Sequence, residues 1–110
     1  MQKGFAMPIN DDFSLPRLRK TLGLAQSEMA RRMGLSIRPY QELEANIRKV
    51  RNRHVRLAES VALDVAIETR CPELAPANVR NKAIKLARVI LTQNFQAKAR
   101  KLADIVLDQG

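Results

Sequence analysis

The chain has 110 residues, of which 45% are hydrophobic, and 20 Lys and Arg against 11 Asp and Glu give a net charge of +9. This length favours one small domain, and the charge favours a polyanionic partner such as nucleic acid or an anionic membrane surface. No apolar run approaches the roughly 18 residues of a membrane-spanning helix, and residues 1–10 lack the apolar stretch of a secretory signal. The single cysteine, Cys71, favours a reducing cytoplasm, and with one His it excludes a His/Cys metal cage.

Motifs of the common enzyme classes are missing from the sequence. It has no Gly-rich phosphate loop, no GxSxG and no HExxH. The only histidine, His54, lies in a basic run without the spacing of a catalytic triad. We therefore expect no catalytic residues, no metal and no cofactor.

Residues 1–13 are interpreted as an N-terminal arm, and the first predicted helix runs from Ser14 to Leu22. Ser14 is a good N-cap, and Pro16 is tolerated in a first turn because its missing N–H has no helical partner there. Gly23 ends this helix at a position that often needs the left-handed conformation. A second helix is predicted from Gln26 to Met33 and ends at Gly34.

The third predicted helix covers residues 37–45, with Ser36 as its N-cap and Pro39 inside its first turn. After a linker at 46–53, a fourth helix is predicted over residues 53–69 and is closed by Cys71 and Pro72. We expect Cys71 to be a buried, inert thiol. The apolar stripe predicted for the fourth helix consists of Leu57, Ala58, Val61, Ala62 and Val65.

Residues 76–108 are also predicted to be helical, but their apolar residues occupy two nearly opposite faces. Either the helix breaks near Gln93 and Asn94, or one long helix buries two faces against different neighbours; the pattern favours the break. The first face holds Val79, Ala83, Leu86 and Ile90, and the second holds Phe95, Ala99, Leu102 and Val106.

Residues 26–45 have the pattern of two short helices that cross steeply around a tight turn. A small residue is needed at the crossing, which Ala30 provides, and a positive φ is needed in the turn, which Gly34 provides. Tyr40 and Leu43, three positions apart, would bury one face of the second helix against the first. This pattern predicts a helix-turn-helix, whose second helix can enter a DNA major groove.

Residues 18–61 resemble the phage-repressor and Cro-like (XRE-type) helix-turn-helix domains. The matching text, which covers residues 18–46, is LRKTLGLAQSEMARRMGLSIRPYQELEAN. The resemblance implies an all-α, lambda-repressor-like bundle over residues 14–70. Residues 71–110 lie outside the resemblance, and we interpret them as additional C-terminal helices and as the candidate dimerisation element. In that family an Arg of the first helix pairs with a Glu at the end of the third, and Arg19 and Glu44 match these positions.

The resemblance also implies roles for residues of the outward surface. Gln26 would reach a backbone phosphate at the start of the second helix. Arg38 would fork onto a guanine, and Gln41 would pair with an adenine or bind phosphate. The DNA-contacting residues implied in this way on and before the third helix are Gln26, Ser36, Ile37, Arg38, Gln41 and Glu42.

The linker after the third helix is rich in positive charge. Such a density is unfavourable by self-repulsion unless a polyanion or solvent relieves it, which indicates contact with phosphates. The basic residues of this segment, which contains no acid, are Arg48, Lys49, Arg51, Arg53 and Arg56.

The sequence departs from the family pattern at five positions. Ala25 replaces a capping Ser or Thr, Pro39 stiffens the third helix, and Ala45-Asn46 replaces a glycine. The acidic Glu42 must read a cytosine amino group, pair with a neighbouring Arg, or disfavour binding.

The sequence as a whole favours a cytoplasmic, sequence-specific transcriptional regulator, a repressor, that binds double-stranded DNA as a homodimer and has no membrane association. Homodimers of this type read two half-sites about 34 Å apart. The alternative is a protein-interaction module, antitoxin-like or an accessory subunit, which binds DNA weakly and holds a protein partner through its C-terminal helices. RNA binding is a third reading, but 4% aromatic residues provide few stacking platforms.

Overall fold

Every regular element of residues 13–109, the part of the chain that this computed structural model describes, is helical, and side chains are described through residue 107. The all-α prediction is confirmed for this part, which contains no strand. Residues 1–12 of the predicted N-terminal arm lie outside it. The elements are α1 (Leu15–Leu22), α2 (Gln26–Met33), α3 (Ile37–Glu44), α4 (Asn52–Thr69), a 3-10 helix (Pro72–Leu74) and α5 (Ala77–Gln109).

The chain forms two compact units, of which the first ends at Pro76 and the second begins at Ala77. The first contains α1 to α4 and the 3-10 helix, and the second is α5 alone. None of the helices within residues 13–109 combines the length and apolar character needed to cross a membrane.

The first two helices, α1 and α2, end where the sequence predicts, and α3 ends one residue earlier than predicted, at Glu44. The Ser14 hydroxyl accepts a hydrogen bond from the Arg17 N–H at 3.2 Å, which caps α1. Gly23 and Gly34 end α1 and α2 with φ of +73° and +76°, a conformation that costs glycine little. Ala25 and Ser36 occupy the N-cap positions of α2 and α3 without a side-chain cap bond.

The core of the first unit lies between α1, α2, α3 and α4. Ala30 is buried in α2, which packs against α3 and α4. Tyr40 and Leu43 bury one face of α3, as predicted. Leucine, methionine and valine side chains supply most of the remaining apolar burial, which stabilises the unit in proportion to the area removed from water. The buried cluster consists of Leu15, Leu22, Met29, Ala30, Met33, Tyr40, Leu43, Ala58, Val61, Ala62 and Val65.

Two burial predictions in and after α4 are wrong. Leu57 is 39% exposed, because it lies about 40° farther around the helix than Val61, beyond the edge of the buried stripe. Cys71 is only partly buried, since it precedes the 3-10 helix at the surface, and its thiol donates to a Glu73 carboxylate oxygen 3.1 Å away. This hydrogen bond raises the pKa of the Cys71 thiol.

The predicted break near Gln93 and Asn94 is also wrong, because α5 is one continuous helix of 33 residues. No proline or glycine lies between residues 77 and 109 to interrupt it, and an asparagine inside a helix costs less than about 0.7 kcal/mol. Both apolar faces therefore belong to one helix, and every side chain from Ile84 to Leu107 is exposed.

Arg70 ends α4 in the left-handed region, with a φ of +58°. A side chain with a Cβ is unfavourable there, so we expect Arg70→Gly to raise the free energy of unfolding by about 0.5–1 kcal/mol in urea denaturation. Arg70→Ala, which removes the charge but keeps the Cβ, is the matched control. A glycine variant no more stable than the alanine variant would contradict the prediction.

Candidate nucleic-acid interface

The carboxylate of Glu44, the last residue of α3, receives hydrogen bonds from all three short helices. The Arg19 Nε of α1 donates to Oε2 at 2.6 Å, and the Gln26 Nε2 of α2 donates to Oε1 at 2.9 Å. The Tyr40 hydroxyl, one turn earlier in α3, also donates to Oε2. Arg19 additionally donates from Nη1 to the Leu24 carbonyl at 3.0 Å, which ties it to the turn before α2. The structure thus joins Arg19 and Glu44 in the ion pair that the family resemblance implies.

The protonation states in this cluster follow from its contacts. Burial opposes ionisation of Glu44, but the hydrogen bonds from Arg19, Tyr40 and Gln26 outweigh it and hold its pKa below the usual value. The hydrogen bond to Glu44 raises the pKa of Arg19. Burial is the main cause that raises the pKa of Tyr40, and the hydrogen bond to the Glu44 carboxylate raises it further. Glu44 is therefore an ionised group that only accepts hydrogen bonds.

The ionised carboxylate fixes the orientation of two glutamine side chains. Gln26 must turn its Nε2 toward Glu44, so its Oε1 faces Gln41, whose Nε2 donates to it at 3.2 Å. Gln26 thus lies between two protein groups at the start of α2, and Gln41 lies exposed on α3. The Gln41 carbonyl and one of its amide hydrogens remain for an external partner.

The first residues of α3 form an exposed surface next to this pair of glutamines. Ser36, Ile37 and Arg38 are all exposed, and Ile37 presents 43% of its surface to solvent. A β-branched apolar side chain beside a guanidinium and an amide offers both apolar contact and hydrogen bonds to an external ligand. These positions correspond to the base-reading surface that the resemblance implies.

Glu42 pairs with a neighbouring arginine, one of the three roles open to it from the sequence. Its Oε1 accepts from Arg48 Nη2 at 2.8 Å and from Arg48 Nε at 3.2 Å. The chain doubles back at this point, because the backbone N–H groups of Ile47 and Arg48 both donate to the Glu42 carbonyl. Asn46 permits the reversal with a φ of +62°, which asparagine tolerates better than most residues.

The basic segment, defined as residues 48–56, joins this reversal to the first turn of α4. All five of its Lys and Arg side chains are exposed. Arg48 is paired with Glu42, whereas Lys49, Arg51 and Arg53 form no ion pair among the described residues. The N-terminus of α4, an 18-residue helix, adds its partial positive charge to this segment. The arrangement is suited to bind a polyanion.

The outer side of α2 differs from the basic segment, because Glu28 and Glu68 neutralise its arginines. Arg32 donates to Glu28 Oε2 at 2.9 Å and to both oxygens of Glu68 in α4 at 3.1 Å. Hydrogen bonds from Arg31 and then Arg32 lower the pKa of Glu28 to about 2. Among the described residues of α2, α3 and the basic segment, four of the five cations outside ion pairs therefore lie in the basic segment, and the fifth is Arg38.

His54 has a structural role that the sequence analysis missed. It is buried at the third position of α4, and its Nδ1 accepts the Arg51 backbone N–H at 2.9 Å, which closes the first turn. Burial, followed by the charges of Arg53, Arg51 and Arg48, lowers its pKa. The signal available in the sequence is its position three residues after the N-cap Arg51, from which a side chain can reach back to the N-cap.

We expect the free energy of unfolding to decrease as the pH falls below 6.5, the ordinary pKa of histidine. The unfolded chain binds the proton at a higher pH than the folded one, so the stabilisation is complete above 6.5 and is lost toward the lower folded pKa. Urea midpoints between pH 5.5 and 8 should show this slope in the wild type and not in His54→Gln. The carboxylates Glu44 and Glu28 titrate below this range. Equal slopes in both proteins would contradict the assignment.

Among the described residues, no cluster of three or more His, Cys, Asp or Glu side chains could hold a metal ion. Comparisons with protein-family models, with curated proteins and with solved structures returned no match. The resemblance to the phage-repressor and Cro-like domains therefore depends on the residues quoted from the sequence. What the geometry adds is an exposed α3 surface, two oriented glutamines and an adjoining basic segment.

Proposed function

We propose that the first unit is a phage-repressor-like helix-turn-helix domain, formed by α2, α3 and their turn, and that the chain is a sequence-specific transcriptional repressor. The observation that carries the proposal is that the basic segment follows the end of α3 and is joined to it by the Arg48–Glu42 ion pair, while Ile37, Arg38 and Gln41 are exposed on the same helix. The segment offers several cations to phosphates, which supply affinity, while α3 offers side chains to base edges, which supply specificity.

The proposed contacts use the exposed side chains at the start of α3 and the amide groups of the two oriented glutamines. Gln41 would accept from the N6 amino group of an adenine and donate its remaining amide hydrogen to N7. Arg38 would fork onto a guanine, and Ile37 would contact a thymine methyl group. The remaining amide hydrogen of Gln26 would reach a phosphate. Repression would follow from occlusion of a promoter.

Selection of bound DNA from a random pool tests this proposal. We expect enrichment of a defined sequence, and a palindromic one if two copies bind together. The affinity for that sequence should fall steeply with salt, with a slope of about −0.9 for each neutralised phosphate. Retention of no sequence above a scrambled control at about 50 mM salt would contradict DNA binding.

The exposed apolar side chains of α5 favour a second candidate function, a module that binds another protein. A helix whose side chains are all exposed over residues 84–107, many of them apolar, is typical of an element that is buried in a complex. Stoichiometric copurification of a different protein, without a shift of genomic DNA at low salt, would favour this function over repression.

A further inference from the structure

One exposed face of α5 carries large apolar residues at regular intervals. Ile84, Phe95 and Val106 are separated by 11 residues, and Leu91 and Leu102 lie between them on the same face. Eleven residues are close to three turns of an α-helix, so the stripe runs almost parallel to the helix axis. The exposed fractions of these five side chains range from 43% to 73%. We call this set the Phe95 stripe.

The outer residues of the Phe95 stripe, Ile84 and Val106, lie symmetrically about Phe95, so an antiparallel copy brings residues at equal distances on either side of Phe95 face to face. Ile84 and Val106 lie 11 residues to either side of Phe95, and Leu91 and Ala99 lie four residues to either side. A large side chain is therefore matched by a small one at the inner pair, and Leu102, seven residues after Phe95, is matched by Arg88, seven residues before it, whose aliphatic stem can cover Leu102 while its guanidinium reaches solvent. Such a stripe is complementary to itself when a second copy runs in the opposite direction, related by a two-fold axis perpendicular to the helices.

The charges along α5 distinguish the two possible directions. Its beginning carries Arg80, Lys82, Lys85 and Arg88 without an acid, whereas residues 103–109 carry Asp104 and Asp108 without a base. In antiparallel order the acidic end of each helix lies beside the basic end of its copy. In parallel order the basic ends meet, and Arg88 faces its own copy, which is unfavourable.

We propose that α5 pairs with α5 of a second copy in antiparallel order, with Phe95 on the two-fold axis, Ile84 facing Val106 and Leu91 facing Ala99. This deepens the dimer of the proposed function but does not depend on DNA. The segment of α5 from Ile84 to Val106 is about 33 Å long, and the helix is about 10 Å wide. An interface of this length and width is at the small end of specific interfaces. The dimer is expected to dissociate in the micromolar range.

Disulfide trapping tests the direction and the register of the pairing. In a Cys71→Ser background, Phe95→Cys should form a symmetric disulfide under mild oxidation, because the two copies meet at the axis. Ile84→Cys alone should not form one, whereas a mixture of Ile84→Cys and Val106→Cys should form the mixed disulfide. Efficient crosslinking of Ile84→Cys to itself would overturn the antiparallel order.

Sedimentation of the full chain tests whether a second copy is the partner at all. The wild type should be dimeric at tens of micromolar, and Phe95→Asp should weaken the dimer at least tenfold. Leu86→Asp, an exposed position on a different face, is the matched control and should leave the dimer intact. A monomeric wild type, or equal dissociation by both variants, would overturn the proposal. Because no DNA is present, these outcomes are independent of whether the first unit binds DNA.

Discussion

Replacing Glu44 with alanine is expected to lower the free energy of unfolding by about 3 kcal/mol. The substitution removes the acceptor of three side chains and leaves the Arg19 guanidinium, whose side chain is 15% exposed, without its counterion. Breaking a buried pair by removing one partner typically costs about 3–5 kcal/mol, because the remaining charge stays desolvated. The partial exposure of Arg19 places the expected value at the lower end. Urea denaturation at pH 7, followed by circular dichroism, measures the change.

Glu68→Ala is the matched control for this substitution. Glu68 also accepts two hydrogen bonds from an arginine, Arg32, but 54% of its side chain is exposed. Exposed pairs contribute about 0–1 kcal/mol, so the loss should be small. Tyr40→Phe removes one donor of the Glu44 cluster and should cost about 1 kcal/mol. If Glu44→Ala costs no more than Glu68→Ala, the carboxylate does not hold the helices together.

The triple variant Arg48→Ala, Lys49→Ala and Arg51→Ala is expected to weaken binding to every DNA sequence by a factor on the order of 10² near 0.1 M salt. If each of the three side chains neutralises one phosphate, their removal should reduce the magnitude of the salt slope by about 2.7. Single Arg38→Ala should instead relax the preference at one base pair, worth about 1–3 kcal/mol. Mobility-shift titrations at several salt concentrations separate the two effects.

The variant Arg70→Ala, Arg100→Ala and Lys101→Ala removes the same net charge at exposed positions outside both the basic segment and the Phe95 stripe. If the basic segment binds the phosphates, this control should keep the wild-type salt slope. Equal losses in the two triple variants would mean that net charge alone attracts DNA. An unchanged affinity in the first variant would show that the segment does not lie on the DNA.

Local signals in the sequence predicted most of the first unit. Ser14, Gly23 and Gly34 delimit the helices because each acts through its own backbone or its nearest neighbours. Ala30 and Tyr40 are buried as their spacing predicts. Such features require no knowledge of distant parts of the chain, which is why a single sequence is sufficient for them.

Features that depend on the tertiary environment were less predictable. The apolar residue Leu57 fits a helical stripe, but only the packing of α4 decides where that stripe ends. The sequence does not show that α5 is continuous, because a change of apolar face can mark either a break in the helix or one helix with two apolar faces. The bond between Gln26 and Gln41 joins residues 15 positions apart, and no periodicity in the sequence indicates it.

The cluster around Glu44 separates two kinds of position within α3. Its last residue is bonded to α1 and α2, so it cannot change without loosening the unit. Ser36, Ile37 and Arg38 at the other end are exposed, and their side chains make no hydrogen bond or ion pair among the described residues. If the chain has the proposed function, substitutions at these three positions can therefore change the preferred operator sequence at almost no cost in the stability of the fold. A family of regulators with different targets could arise from this one framework by substitution at the beginning of a single helix.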